Sequence, residues 1–421
     1  LIKIVGRGQT TVVDSYLYPI LSKYILSLRN ELGEIPIEFM QSSGGLTDDK
    51  SLTGKDAILS GPAGGAIGCA TVGDMNRLDS IIGFDMGGTS TDVSRYDGHF
   101  SRIVEIKAGG INFQASSLDI KTVAAGGGSL LWFDGQRLQV GPESAGAVPG
   151  PVCYGLGGKL AVTDANLVLG RINPNFFPEV FGPEQNNKLN FEMARLEFEK
   201  LQSKINKNTN SSFSVEELAK GFLDIANEKM AGAIKKVSVS RGYDVRNHAL
   251  VCFGGAAPQH CCSIAKILGI KQIVIHPLSS LLSAYGIANA DQFRYKVKSL
   301  VEKFNSDSHK EVFSEISYLE LPLIDEIQNL GILPENITTK KYLDLRMTGT
   351  DTPLTIPFTE YESMLESFGE RHRDLFGFYS SNELEIANVR VEVTGHRTKI
   401  DNSSVDLSLV KPEPIHCAEV Y

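Results

Sequence analysis

Short apolar runs separated by glycine-rich turns dominate the chain up to about residue 297, and charged helical patterns replace them afterwards. Ile81, Ile82 and Phe84 form one such run, Gly87 and Gly88 turn the chain, and Thr91 to Val93 resumes a β-favouring pattern. The pattern predicts strand, tight turn and strand over residues 81–94. Residues 1–10 predict a strand leading to a loop. Val12, Val13, Tyr16, Leu17, Ile20, Leu21, Tyr24, Ile25 and Leu28 then recur on one broad helical face, with Pro19 expected to kink it. Ile35 to Met40 predicts a strand, followed by a polar turn at Gln41–Gly45. Pro62 opens a predicted helix that carries Gly64, Gly65, Ala66, Gly68 and Ala70. Each interior glycine costs a helix roughly 1 kcal/mol. Such a helix needs either close packing or an anion at its N-terminus, and the sequence leaves both open.

The pattern continues with a glycine turn at residues 123–129 leading into Leu130–Phe133. Residues 141–158 hold six glycines and three prolines, with Val148, Val152, Cys153, Tyr154 and Leu156 favouring an ordered loop. A short helix capped by Thr163 or Asp164 is expected over 162–170, an irregular connector over 171–190, and a surface turn over 203–212. Ser214 and Glu217 form a capping box that opens a long helix ended by Arg241-Gly242. A strand at Ala249–Phe253, the turn Gly254-Gly255, a helix to Leu268, a strand from Gln272 to His276 and a helix from Ser279 to Ala290 follow. That order is the order of a doubly wound α/β domain, with a ligand at the strand carboxyl ends. Helical patterning over 309–330, strands over 342–347 and 352–358, a Thr359/Glu362 capping box and a half-buried strand through Val389, Val391 and Val393 predict a small α+β domain. The division is therefore 1–297 and 298–421.

Composition narrows the function classes. The chain has 421 residues and a net charge of −9, which argues against nucleic-acid or anionic-membrane binding. Six cysteines without a C-x-x-C pair suit a reduced, cytoplasmic protein. No run of 18 apolar residues suggests a membrane span.

Candidate chemistry concentrates in the 81–94 stretch. The amides of Gly87 and Gly88, with the Thr89, Ser90 and Thr91 hydroxyls, can cup an anion such as phosphate. Asp85 and Asp92 flank the cup and would repel a phosphate unless a cation such as Mg2+ sat between them. The alternative is a glycine hairpin with two turn aspartates. His260 and Cys153 stand near motifs, but a backbone-satisfied histidine and a packed thiol are the plainer readings. His260 with Cys252, Cys261 and Cys262 offers a soft-metal alternative. Asp164 and Asn166 are open between substrate contact and helix capping.

Taken together, Leu59-Ser-Gly-Pro-Ala-Gly-Gly65, Asp85-Met-Gly-Gly-Thr-Ser-Thr-Asp-Val93 and Cys252-Phe-Gly-Gly-Ala-Ala-Pro-Gln-His260 resemble the hydantoinase A/oxoprolinase family. Arg7–Asp14, Met40–Leu46, Ala124–Ser129, Gly150–Gly155, Val162–Asn166 and Leu281–Ala284 support the match in the same order. Phe177-Pro178 and Phe181-Gly-Pro183 resemble the 5-oxoprolinase branch.

The resemblance implies an α/β actin-like ATPase fold, shared with sugar kinases and heat-shock ATPases, followed here by the C-terminal α+β domain. It implies ATP and Mg2+ as cofactors and a small lactam as substrate, with 5-oxo-L-proline opened to L-glutamate. Asp85 is the implied metal- or water-organising carboxylate and Asp92 its neighbour. Gly87, Gly88, Thr89, Ser90 and Thr91 would hold phosphate, and Gly254, Gly255 and Ala256 the nucleotide. Family members carry a further Asp-x-Gly-Gly-Thr segment upstream, whereas this chain has one, at 85–89, and Ala257 replaces a glycine common in the family. The expectation is a fragment that lacks an N-terminal domain and a B-type region, inactive by itself, from a homo-oligomeric protein. N-methylhydantoinase, an acetone carboxylase-type subunit and a non-catalytic nucleotide-binding module are the alternatives.

Overall fold

A computed structural model describes residues 4–108, 110–379 and 383–399, together with 413, 417, 420 and 421. Two sheets organise these residues. The first has five strands in the order 273–275, 249–253, 81–86, 91–96, 121–123. Its middle strand, Ile81–Met86, runs parallel to Ala249–Phe253 and antiparallel to Thr91–Tyr96. Successive side chains of a strand point to opposite faces, and here both faces are covered. Ile81, Val251 and Phe253 pack with Cys69, Val72, Leu282 and Tyr285 on one side. Ile82, Phe84, Leu250 and Cys252 join the larger core on the other, with the helices Val162–Val168, Val215–Val237 and Cys261–Leu268. The expected Ser214/Glu217 capping box is present.

The glycine-rich helix, Ser60–Met75, has a packing reason for its composition. A Cβ added at Gly286 would lie 1.9 Å from the Gly64 carbonyl oxygen, and one at Gly68 would lie 2.5 Å from that of Leu282. The backbones of Ser60–Met75 and Leu282–Ala288 therefore touch directly, which side chains would forbid.

The second sheet has six strands in the order 38–40, 46–48, 292–303, 384–395, 337–347, 354–357. The helices Ser306–Gln328 and Tyr361–Phe376 cover one face through a core that includes Val389, Val391 and Val393. The boundary at 297 falls inside the strand Gln292–Lys303, and this sheet also takes in Glu38–Met40 and Leu46–Asp48.

Several local expectations change. The described part of residues 1–10 is helical, because one helix spans Ile4–Leu32. Tertiary ties hold its first turns: Gln114 N donates to Thr10 Oγ1 at 2.8 Å, and Lys55 N donates to Asp14 Oδ1 at 3.1 Å. Its broad apolar face is split. Val13, Leu17, Leu21, Ile25 and Leu28 are half-buried, whereas Val12, Tyr16, Ile20 and Tyr24 are exposed. Residues 203–209 lie in the helix Phe191–Thr209, whose amphipathic face buries Phe198 and Ile205, so the surface turn is confined to residues beyond it. Thr359 caps nothing: the Tyr361–Phe376 helix begins after Glu360 without a side-chain cap. The strand through Val389 is buried on both faces, since Arg390 and Glu392 are each 6% exposed.

Candidate functional site

The tight turn between the paired strands opens at the end of the five-stranded sheet. Gly87 N donates to Ser90 O at 3.1 Å, closing residues 87–90 into a hairpin. Gly88 and Thr89 are exposed at its tip, and a Cβ on Gly88 would meet nothing within 4 Å. Neither Thr89 nor Ser90 has a side-chain hydrogen bond among the described residues, so both hydroxyls are available to a ligand.

Asp85 and Asp92 sit directly opposite each other in the antiparallel register. Directly opposed residues share a sheet face, which brings two carboxylates together at the strand ends. Burial first, and the Asp92 charge second, push the Asp85 carboxyl up to about 6. Burial also raises Asp92, while a hydrogen bond from Thr122 Oγ1 at 2.5 Å pulls it the other way. Asp85 accepts no hydrogen bond from the described residues. A partly buried carboxylate pair without a cation is unfavourable, and that is the condition a divalent ion relieves.

Gly254 completes the cleft from the neighbouring parallel strand. Its φ is +81°, and a Cβ there would lie 2.4 Å from Asp85 Oδ1 and 2.6 Å from Met86 O. Only glycine fits that position. Gly255 is exposed with open space around it, and Ala256 N donates to Met86 O at 3.0 Å. Asp85, Gly87, Gly88, Thr89, Ser90, Gly254, Gly255 and Ala256 thus converge on one opening.

Thr91 is different. It is fully buried and donates its hydroxyl to Ala125 O at 2.5 Å, so it ties two loops together and does not face the opening. The loop Gly126-Gly127-Gly128, not among the expected site residues, supports the turn. Gly127 N and Gly128 N donate to Gly87 O at 3.0 Å and Gly88 O at 2.6 Å, buttressing the turn from behind. A Cβ on Gly126 would lie 2.7 Å from Gly88 O and Ser90 N. The signal is the glycine triplet itself, but the carbonyls it bonds lie 40 positions away in sequence.

The other candidates resolve as structure. His260 is fully buried, with Nδ1 against Asn227 Oδ1 at 2.8 Å and Nε2 against Asn166 Nδ2 at 3.1 Å. Burial, then Arg171, lower its pKa to about 3, so it is a neutral imidazole. Asp164 is fully buried and accepts from Val152 N at 3.1 Å, Cys153 N at 2.8 Å and Ala161 N at 2.8 Å. It anchors the glycine/proline loop to the helix. Cys153 is buried, and burial raises its thiol far above the range of a nucleophile. No group of three or more His, Cys, Asp or Glu side chains placed to hold a metal occurs among the described residues.

These features define an α/β mixed-sheet protein with a glycine-lined opening at strand carboxyl ends. The hydantoinase/oxoprolinase family model matches residues 7–296, and the chain belongs to that family. It is 41% identical to 5-oxoprolinase 1 of Arabidopsis thaliana over 442 residues, covering 100% of this chain and 35% of that protein. The chain therefore spans about a third of the length of that relative. The crystal structure of the ATP-dependent caprolactamase from Pseudomonas jessenii superposes with a TM-score of 0.82 at 30% identity, over 94% of this chain and 59% of that one. The nucleotide-free structure of acetone carboxylase shares the fold, with a TM-score of 0.67 at 20% identity over 95% and 59% of the two chains.

Proposed function

We propose that this chain supplies one side of an ATP cleft in an ATP-dependent cyclic-amide hydrolase of the 5-oxoprolinase type. The sheet order, an antiparallel meander of Ile81–Met86, Thr91–Tyr96 and Lys121–Val123 continued on the other side of Ile81–Met86 by two parallel strands, supports one half of an actin-like ATPase. The observation that carries the reading is Asp85: a carboxyl pushed up to about 6, opposite Asp92, with a positive-φ glycine against it. The residues fit a divalent cation, because Mg2+ is held through one or two carboxylates and keeps several waters. ATP with Mg2+ would supply the phosphoryl group that makes a resonance-stabilised lactam oxygen a leaving group.

The chain's own residues do the positioning. Above pH 6 Asp85 is ionised and orients the cation or its water, with Asp92 adding negative charge beside it. The exposed turn offers the Gly88 backbone and the Thr89 and Ser90 hydroxyls to phosphate oxygens. Gly254, Gly255 and Ala256 let a nucleotide lie against backbone. Phosphoryl transfer is catalysed mainly by such positioning and charge neutralisation. A further domain and a B-type region would complete the cleft and the ring-opening site.

Full-length protein incubated with ATP and 5-oxo-L-proline tests the reading. Glutamate formed in step with phosphate is expected, and Asp85→Asn is expected to abolish it while retaining the fold. ATP turnover that needs bicarbonate and a ketone instead would overturn the substrate assignment.

A further inference from the structure

A cavity of about 960 Å³ lies where the six-stranded sheet faces segments 97–103 and 241–243. No residue of the Asp85 opening lines it. Its floor follows from strand register. Tyr342 lies opposite Arg390 and Lys340 opposite Glu392, so these four side chains leave the sheet on one face, while Val389, Val391 and Val393 enter the core on the other. The acids on this face are taken. Asp344 accepts from Thr355 Oγ1 at 2.7 Å and Asn388 Nδ2 at 2.9 Å, and Glu392 accepts from Arg102 Nη1 at 3.1 Å.

Arg390 is not comparably satisfied. It is 6% exposed, yet only Nη2 is engaged, at 3.3 and 3.5 Å from Asp344, and its buried Nε has no partner. A guanidinium carries five N–H donors, and leaving them idle in a buried site is costly. Lys340 stands exposed at the cavity wall and forms no ion pair among the described residues. An oxyanion would complete both groups. The planar fork matches carboxylate and phosphate alike, but a dianion beside Glu392 and Asp344 meets more repulsion than a monoanion.

We infer that this cavity binds a small organic carboxylate, with Arg390 as the fork on its oxygens and Lys340 as a second cation at the wall. The inference stands apart from the proposed ATP chemistry, because it uses different residues and a binding readout.

Calorimetric titration of the 421-residue chain with the monoanions butyrate and L-glutamate and with inorganic phosphate tests it. Both carboxylates are expected to bind, and phosphate several-fold more weakly. A charge-assisted hydrogen bond contributes about 1.5–3 kcal/mol, so Arg390→Gln should weaken carboxylate binding about tenfold or more. Lys340→Ala, at an exposed position, should weaken it about threefold. No heat from either carboxylate up to about 10 mM, an affinity near the weak end of specific binding, overturns the site. Phosphate bound as tightly and with the same dependence on Arg390 overturns the carboxylate assignment. If Arg390→Gln does not fold, Lys340→Ala decides, and an unchanged affinity in that variant overturns the proposal.

Discussion

Asp85 and Asp164 are both carboxylates withdrawn from water within the same half of the molecule, and the chain treats them in opposite ways. Asp164 is fully buried and receives three backbone N–H groups, which fasten the loop around Cys153 to the helix Val162–Val168. Asp85 has no donor among the described residues and faces another carboxylate across the sheet. Burial raises the pKa of both groups, but the hydrogen bonds to Asp164 oppose the shift, whereas Asp92 adds to that of Asp85. A satisfied buried carboxylate holds structure together. An unsatisfied one stores unfavourable free energy that a bound cation can release.

The two sites should therefore respond oppositely to loss of the carboxylate. Asp164→Ala leaves three buried amides without an acceptor and should cost about 3–5 kcal/mol, read as a lower urea midpoint. Gly254→Ala places a Cβ against Asp85 Oδ1 at positive φ and should cost about 1–3 kcal/mol while reducing Mg2+–ATP binding in the full-length protein. Asp85→Asn should instead stabilise the metal-free chain, by about 1–3 kcal/mol at pH 7.5.

The sign follows from linkage. A carboxyl whose folded pKa is raised to about 6 contributes stability below its unfolded value of 3.8 and loses it as pH rises through 6. The gain from Asp85→Asn should therefore vanish near pH 4, and unfolding curves at both pH values check it. Stabilisation that persists at pH 4 would show that Asp85 is not the group responsible. The smallest effect is expected at Gly255, where a Cβ meets nothing within 4 Å. Gly255→Ala should change stability by no more than about 0.5 kcal/mol, so any loss of nucleotide affinity there reports ligand contact alone.

Much of this contrast was legible in the residues. The hairpin at 81–94, the strand Ala249–Phe253 and its glycine turn follow from short apolar runs and glycine placement, which are local signals. The Ser214/Glu217 cap was equally local and formed as expected. The Thr359/Glu362 pair carried the same signal and did not form, because a cap depends on where the chain enters the helix. Residues 4–10 are helical and not extended because their helix is held at Thr10 and Asp14 by Gln114 and Lys55, which lie far away in sequence. Thr91 has the spacing of a ligand hydroxyl, but the fold places the Ala125 carbonyl beside it and occupies that hydroxyl.

The sequence by itself determined the family, the order of the elements and the glycine positions where a backbone must approach another atom. These depend on residue identity and spacing, which a chain carries with it unfolded. Only the tertiary structure decided which acids are satisfied and which are not. Asp85 and Asp92 become a pair through strand register, Asp164 becomes an anchor because a loop folds over it, and Arg390 keeps an idle Nε because Asp344, which it touches only through Nη2, also serves Thr355 and Asn388. Hydrogen bonding and desolvation belong to arrangements in space, and no local pattern along the chain encodes them.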